Sequence, residues 1–587
     1  MKIVKRNRVR GPFEGIAAKE PALESISVKN FKSFGDWVEI PLRPVTLIFG
    51  KNSAGKSSAL HSILWLRDIL PFGNLNLRFL SKGGDFVDLG GLHEYLFKSL
   101  SKKTEDIGFK ITLRDDDNYI ETFLREKIGE IVKYYQKSES IDENGQNLLS
   151  ELYKNSLFED ILTRDTPNLI EMEVNFDLRK IPKNKTINNI NTQPNINLNL
   201  NGKTVFRFTA NEDPYEQSKG INQDETDEDN IRYSLTIGEK VKDLLFKIIN
   251  QINKKSYRDI TKNDETSRSL VEMAHRQLES KLRWHSLGVM QVGFKIFTRY
   301  FPRNRFIRYL DKSSEEKTAE VELSNPTNKC YDLIAFQLIN LLFFLFRKKF
   351  VYVFKNLNYF AAYRNYPSRF LFENSSELKQ GFDPYGSESV KNIFKNRQIL
   401  RSIDQACRKL GSNFFVKVSN KYAALFGKTI KIVHAKNSKD LSFRDIGFGW
   451  SQVFPVLSEI LSDQSSLLMV EQPELHLHPQ AQSDLMEIIV EQVYAQRKRN
   501  SKKRRLEGLD LNNPIILEAH SEQMVIRLLK LIGEKKLKPD DCAILYIDHD
   551  GETSSIKRIS IDEQGNIGNQ WPGGFFESAF KDFERDK

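Results

Sequence analysis

Cysteine is almost missing from this chain: Cys330, Cys407 and Cys542 are the three among 587 residues. An odd, widely spaced set builds neither a disulfide framework nor a zinc-ligand set, so a reducing, cytoplasmic setting is expected. Long apolar runs are lacking too. The longest, Leu333 to Phe346 (LIAFQLINLLFFLF), includes Gln337 and Asn340 and is followed by Arg347, Lys348 and Lys349. A membrane span needs about 20 apolar residues, so a buried or interface helix is expected there and no membrane partner. The basic opening MKIVKRNRVRGPFEG leads into no apolar segment, and no signal peptide is expected. There is no repeat period, and no heptad run long enough for a coiled-coil arm. No Ser/His/Asp or Cys/His pattern points to acyl transfer.

What remains is ordinary globular composition, with 39% hydrophobic and 28% charged residues. A chain of this size buries a large core without staples and has room for about two to four domains. Basic side chains outnumber acidic ones, 89 to 78, a formal charge of +11. Such an excess favours polyanions without proving nucleic-acid binding.

Two stretches carry chemistry. The run VTLIF (Val45–Phe49) is short, β-rich and apolar, as a buried strand should be, and SSALHSILWLRDIL from Ser57 has roughly helical spacing. Between them, Gly50-Lys51-Asn52-Ser53-Ala54-Gly55-Lys56-Ser57 fits G-x-x-x-x-G-K-[ST] in full, and Ser58 follows. Glycines let backbone N–H groups turn inward to cradle a phosphate at the helix N-terminus. Lys56 would supply a point charge to the β- and γ-phosphates of ATP, and the Ser57 hydroxyl would bind Mg²⁺. The second stretch is LLMVEQPE (Leu467–Glu474). An apolar strand ending in an acid is the Walker B pattern, which places Glu471 at the magnesium and Ser466–Val470 beside Val45–Phe49. His476 and His478 follow, and loop packing is the first reading for both.

The segments SVKNFKSF…VTLIFGKNSAGKSSAL, DIGFGWSQVFPVL, LLMVEQPELHLHP and LEAHSEQ resemble ABC-type ATPases of the OLD (overcoming lysogenization defect) class, relatives of RecF and SMC heads. The tail from Gly565 through Trp571-Pro572-Gly573-Gly574 to Phe576 is similar to the ending of a stand-alone branch of these ATPases. The resemblance covers roughly 24–100 and 357–587. It implies an α/β nucleotide-binding domain split by an insertion and working as a head-to-head homodimer or higher homo-oligomer. In it, residues 1–23 are a basic arm and 24–119 the Walker A part. Residues 357–587 hold the signature loop, Walker B and a switch histidine. The stretch between carries no family motif, and its own patterning, with helical segments over Ile120–Gln136, Lys240–Asn253 and Leu270–Arg283 and loops at the Asn-rich tract Asn184–Asn201 and the acidic run Asp224–Asp229, reads 120–356 as a mostly helical insertion with flexible loops. Gly449, Ser451 and Gln452 would reach the γ-phosphate held by the partner, and His520 would be the switch residue.

One departure bears on catalysis. The acid that follows Walker B in ABC ATPases is taken as the base for the attacking water. Here that position is Gln472, whose amide orients water without accepting its proton. Hydrolysis is then slow, or Glu474 serves as the base. A slow ATPase suits a sensor or clamp, and the resemblance extends to the ATPase subunit of Septu-type anti-phage systems, which pairs with a separate HNH nuclease. A RecF-like repair ATPase closing on DNA and a nucleotide-bound scaffold without turnover stay open beside it. A Toprim nuclease reading (Glu518 with Asp548 and Asp550) is disfavoured, because only about 37 residues follow Asp550. The basic run Arg497–Arg505 is expected as a solvated loop, with DNA or a partner's acidic face as the alternative.

Overall fold

The computed structural model describes residues 20–69, 92–98, 104–126, 167–178, 195–211, 232–237, 357–365, 371–372, 397–419, 429–441, 445–462, 465–507 and 513–568, less a few positions within these spans and with a few isolated ones between them. Alternating apolar residues, clearest in β4 to β6, build the first sheet, an antiparallel one. Strands β1 (Ala22–Lys29) and β2 (Val38–Pro41) open it; β3 (Val45–Gly50) then leaves for a second sheet. Next come β4 (Asp106–Asp115), β5 (Asn168–Asp177), β6 (Asn195–Leu200), β7 (Lys203–Asn211) and β8 (Arg232–Ile237), in the order β2-β1-β4-β5-β6-β7-β8. One face is apolar: Ile107, Phe109, Ile111 and Leu113 of β4 meet Ile170, Met172, Val174 and Phe176 of β5, all buried. Each such side chain contributes about 1.5–3 kcal/mol by leaving water.

These strands correct the helical expectation for 120–356 in its described part, because β5 to β8 all come from it. The Asn-rich tract expected as loop holds β6, whose NINLNL pattern buries Ile196, Leu198 and Leu200 and turns asparagines the other way. Only the start of the helix expected over Ile120–Gln136 is described. The helices expected over Lys240–Asn253 and Leu270–Arg283, the acidic run Asp224–Asp229 and most of the apolar stretch 333–346 lie outside the described residues.

The second sheet holds the phosphate-loop strand. It runs β17-β16-β3-β15-β14-β9, from β9 (Leu357–Phe360), β14 (Leu467–Glu471), β15 (Ile515–Glu518), β16 (Cys542–His549) and β17 (Ser554–Ile559). All pairs are parallel except the β16–β17 hairpin. β15 lies between β3 and β14, so the Walker B strand is not the direct neighbour expected from sequence. Val45, Leu47 and Phe49 point to one face, while Ile48 points to the other. Helix α1 (Lys56–Ile69) packs on the Ile48 face, in one core with the first sheet. The other face packs α3 (Arg397–Lys409), α4 (Phe448–Ser462), α5 (Pro479–Glu507) and α6 (Glu522–Gly533), whereas the short α2 (Leu92–Tyr95) lies with α1. A helix on each face of a parallel sheet is the α/β arrangement. A third, small sheet joins β10 (Leu371–Phe372), β11 (Phe414–Ser419), β12 (Thr429–His434) and β13 (Asp440–Leu441), and Trp450 of α4 stands edge-on to Phe414 at 4.9 Å.

The run Arg497–Arg505 is not a loop. α5 continues through it to Glu507, and no glycine or proline in 480–507 stops the helix. Among the described residues no helix is long and apolar enough to cross a membrane.

Candidate active site

Residues 51–55 turn between β3 and α1, with Ser53 (φ 61°) and Gly55 (φ 102°) in left-handed conformations. A Cβ on Gly55 would stand 2.4 Å from Ser33 Oγ and 2.8 Å from Ser554 Oγ, so only glycine closes the loop there. The Ser554 hydroxyl donates to the Ala54 carbonyl at 2.7 Å, tying the loop to the β16–β17 hairpin. Lys51, Asn52 and Ser53 are exposed, Ala54 is buried, and the N-terminus of α1 opens toward them. Backbone N–H groups at such a helix start form an anion site. Lys56 is buried, and its ammonium donates to the carbonyls of Gly50 (3.0 Å) and Lys51 (2.7 Å). Burial lowers its pKa, and the charge of Glu518 works against that shift. Ser57 donates to both carboxylate oxygens of Glu518, at 3.0 and 3.1 Å; Ser58 follows one position along the helix, half-buried.

Opposite the loop stand the C-terminal ends of β14 and β15, where Glu471 and Glu518 are register partners. Glu471 Oε1 accepts from the Tyr359 hydroxyl at 2.8 Å, and Oε2 accepts from the Ala362 N–H at 3.3 Å. His61 Nε2 faces Oε1 at 3.6 Å. Gln472 turns the chain (φ 44°), and its N–H donates to the Glu518 carbonyl at 2.7 Å. Glu474 Oε1 accepts from the His520 N–H at 2.6 Å, whereas its buried Oε2 has no hydrogen-bond partner. Burial is the first cause that raises all three carboxyls. Glu518 is pushed up to about 7, with the negative charge of Glu471 adding to the effect. The His520 imidazole is pulled down by burial and then by Lys56.

The signature loop faces inward more than the resemblance implied. Ser451 and Gln452 are fully buried within the protomer. The Ser451 hydroxyl donates to the Phe448 carbonyl at 2.6 Å. The Gln452 amide pairs with the Arg364 backbone, donating to its carbonyl and accepting from its N–H, both at 2.9 Å. The Arg364 guanidinium, itself fully buried, donates to the carbonyls of Gln452 (3.4 Å), Glu471 (2.5 Å) and Gln472 (3.4 Å). Gly449 lies against the turn after Walker B, and a Cβ on it would meet the His476 carbonyl at 2.5 Å. Within this loop the exposed positions are Asp445 and Gly447.

Thus Lys56, Ser57, Glu471, Gln472, Glu474 and His520 line one end of the second sheet, while Ser451 and Gln452 join them only through Arg364. Sequence reasoning weighed Glu518 only as a nuclease acid, and for this site it did not single out Arg364, Tyr359, His61 or Lys32, whose ammonium lies 2.8 Å from His61 Nδ1. Glu518 ends an apolar strand just as Glu471 does, and that signal could have found it. Lys32 and His61 lie within SVKNFKSF and SSALHSILWLRDIL at positions that no motif letter assigns, and Tyr359 and Arg364 lie outside the segments quoted above. His476 packs edge-on against Phe448 at 4.7 Å, and the His478 imidazole accepts from the Gln480 N–H that starts α5. Asp550 accepts from the N–H groups of Glu552 and Thr553 in the β16–β17 turn, far in role from a nuclease carboxylate. Among the described residues no group of three or more His, Cys, Asp or Glu side chains is arranged to hold a metal ion.

The chain is similar to the Smc head domain of Pyrococcus furiosus, crystallised with an extended coiled coil and bound to the C-terminal domain of ScpA. The two are 11% identical over 96% of this chain and 99% of that one, with a TM-score of 0.34. The SMC head domain from Thermotoga maritima is 9% identical over 92% of this chain and all of its own, at 0.32. None of the curated proteins compared with the chain matches it. Residues 537–585 match a family described as a protein of unknown function (DUF3696). Residues 22–525 match the AAA ATPase domain, a span that takes in the phosphate loop, both acidic strand ends and His520, and the chain belongs to that family of ATPases.

Proposed function

We propose that the protein is an ABC-type, OLD-like ATPase that binds ATP with Mg²⁺, hydrolyses it slowly and closes as a head-to-head dimer. The observation that carries this reading is the buried Lys56 and the half-buried Ser57 set against the carboxylates at the ends of β14 and β15. The donor set fits the nucleotide. A phosphate-loop backbone, a lysine and a serine hydroxyl take phosphate and a hard cation, and Glu474 offers a buried oxygen that no hydrogen bond occupies. When bound, Mg²⁺ would neutralise charge developing on the phosphates, and Gly50 to Ser58 would hold the nucleotide. Gln472 would orient water without taking its proton, which leaves Glu474 as the base beside His520 and makes turnover slow.

Slow turnover supports a sensor or scaffold role in anti-phage defence together with a separate HNH-type nuclease. In the dimer, Asp445 and Gly447 would be the part of the signature loop that meets the partner's nucleotide. The test of the site is Lys56→Ala. Losing one charge-assisted contact to buried phosphate costs on the order of 1.5–3 kcal/mol, so ATP affinity by calorimetry should fall more than tenfold while circular dichroism shows a folded protein. Wild-type affinity in the folded variant overturns the assignment. The defence role is tested by plaque counts on a host expressing this chain together with a candidate HNH-type nuclease. The same variant should restore phage growth.

A further inference from the structure

We propose that the β16–β17 hairpin braces the phosphate loop, and that Ser554 is the positioning residue that aims the Gly55 N–H at the nucleotide's β-phosphate. This rests on the nucleotide reading above. It goes further by giving a task to part of residues 537–585, the segment that matches a family of unknown function. The first support is where the hairpin sits. β16 is a direct neighbour of β3, with Ile547 in register with Gly50, the residue that opens the loop. A Cβ on Gly50 would stand 2.2 Å from the Ile547 carbonyl oxygen, so strand and loop meet backbone to backbone. β17 then returns antiparallel, with Ser554 opposite His549. The Ser554 N–H donates to the Ser33 carbonyl at 2.8 Å, and the Gly35 N–H donates to the Thr553 hydroxyl at 3.3 Å. These two bonds dock the hairpin on the turn after β1 without involving the phosphate loop.

The second support is the direction of one peptide. Ser554 is buried, and its hydroxyl donates to the Ala54 carbonyl at 2.7 Å. That carbonyl and the Gly55 N–H belong to one planar trans peptide, so they point in opposite directions. Holding the oxygen against the hairpin turns the N–H away from it, to the side where the motif's amides gather on phosphate. The restraint has something to resist. Gly55 sits at φ 102° and has no Cβ, so little on its side hinders a flip that would turn the carbonyl oxygen toward the phosphate. The glycine that lets the loop close also lets this peptide turn over. A hydrogen bond from outside the loop selects one of the two orientations.

The experiment uses the full chain with ADP and Mg²⁺ as the probe, calorimetry for affinity and phosphorus NMR for the bound nucleotide. Ser554→Ala removes the hydroxyl and should bind ADP about 3–10-fold more weakly, the net worth of one hydrogen bond. The β-phosphorus resonance of bound ADP should move from its wild-type position while the α-phosphorus stays. Ser554→Cys, close in size but with only a weak donor, should fall between wild type and Ser554→Ala. Thr553→Ala loosens the same hairpin without touching the loop, so it should lower the melting temperature and leave ADP affinity as in wild type. Wild-type ADP affinity in either folded Ser554 variant overturns the proposal, and should Ser554→Ala not fold, the cysteine variant decides alone. An equal loss of affinity in Thr553→Ala also overturns it, because docking of the hairpin would then suffice. An unmoved β-phosphorus does the same. Each of these results leaves the nucleotide reading intact, whereas wild-type protein that binds no ADP overturns both.

Discussion

His61 shows how one side chain ties the site to pH. Burial, and then the charge of Lys32, hold its pKa down to about 3. Unfolded, the same imidazole protonates near 6.5. Between those values the unfolded chain binds a proton that the folded one does not, so stability is lost as pH falls from about 6.5 toward 3. His61→Gln should remove that slope, shrinking the stability difference between pH 6.5 and pH 5 by about 2 kcal/mol in urea titrations. An unchanged difference would mean that His61 titrates normally in the folded protein. The residues around it also show what a sequence hides. Gly50 to Ser58 are contiguous, so strand, loop and helix can be read in one glance. The Ser57 to Glu518 contact joins positions 461 apart, and nothing local says which of two similar apolar strands ends at the loop.

At the scale of elements, Arg364 is the connector. It follows β9, and it binds the start of α4 and the end of β14 through carbonyl groups. Its guanidinium is buried enough that burial brings its pKa down to about 10. Arg364→Met leaves buried acceptors without donors, a cost on the order of 3 kcal/mol. Thermal unfolding should shift down by several degrees, and Arg364→Lys, which keeps a donor, should recover part of the loss. A melting temperature equal to wild type for Arg364→Met would show that water replaces the guanidinium. Elements were legible where one signal dominated. The buried β3 and β14, and the Ser521-capped α6, whose hydroxyl accepts from the Met524 N–H at 3.2 Å, follow their local sequence. β6 did not, because asparagine reads as loop although its Ile196, Leu198 and Leu200 alternate. The basic end of α5 did not either, because dense charge reads as a loop although no glycine or proline there stops the helix.

At the scale of the whole molecule, two heads closing on nucleotide would bring the exposed Asp445 of one protomer toward the exposed Lys51 of the other. Ser451 is a poor probe of this closure, since an arginine in its buried place would disturb α4 itself. Asp445→Cys with Lys51→Cys, in a Cys330→Ser background, is the better one, because Cys407 and Cys542 are buried. A bismaleimide should then give a covalent dimer with ATP and Mg²⁺ and little without them, and Lys56→Ala should abolish it. Equal yields in all samples would rule out ATP-driven closure. The strand order has one more consequence, and it concerns time. β3 is made early, yet both its neighbours in the sheet come from Ile515–Glu518 and Cys542–His549, about 470 and 500 residues later. At about 5–20 residues per second, a ribosome takes roughly 25–100 s to supply them. Throughout that interval the nascent chain carries the apolar strand VTLIF without either of its sheet neighbours, so the segment that ends in the phosphate loop is exposed to wrong pairing for most of synthesis.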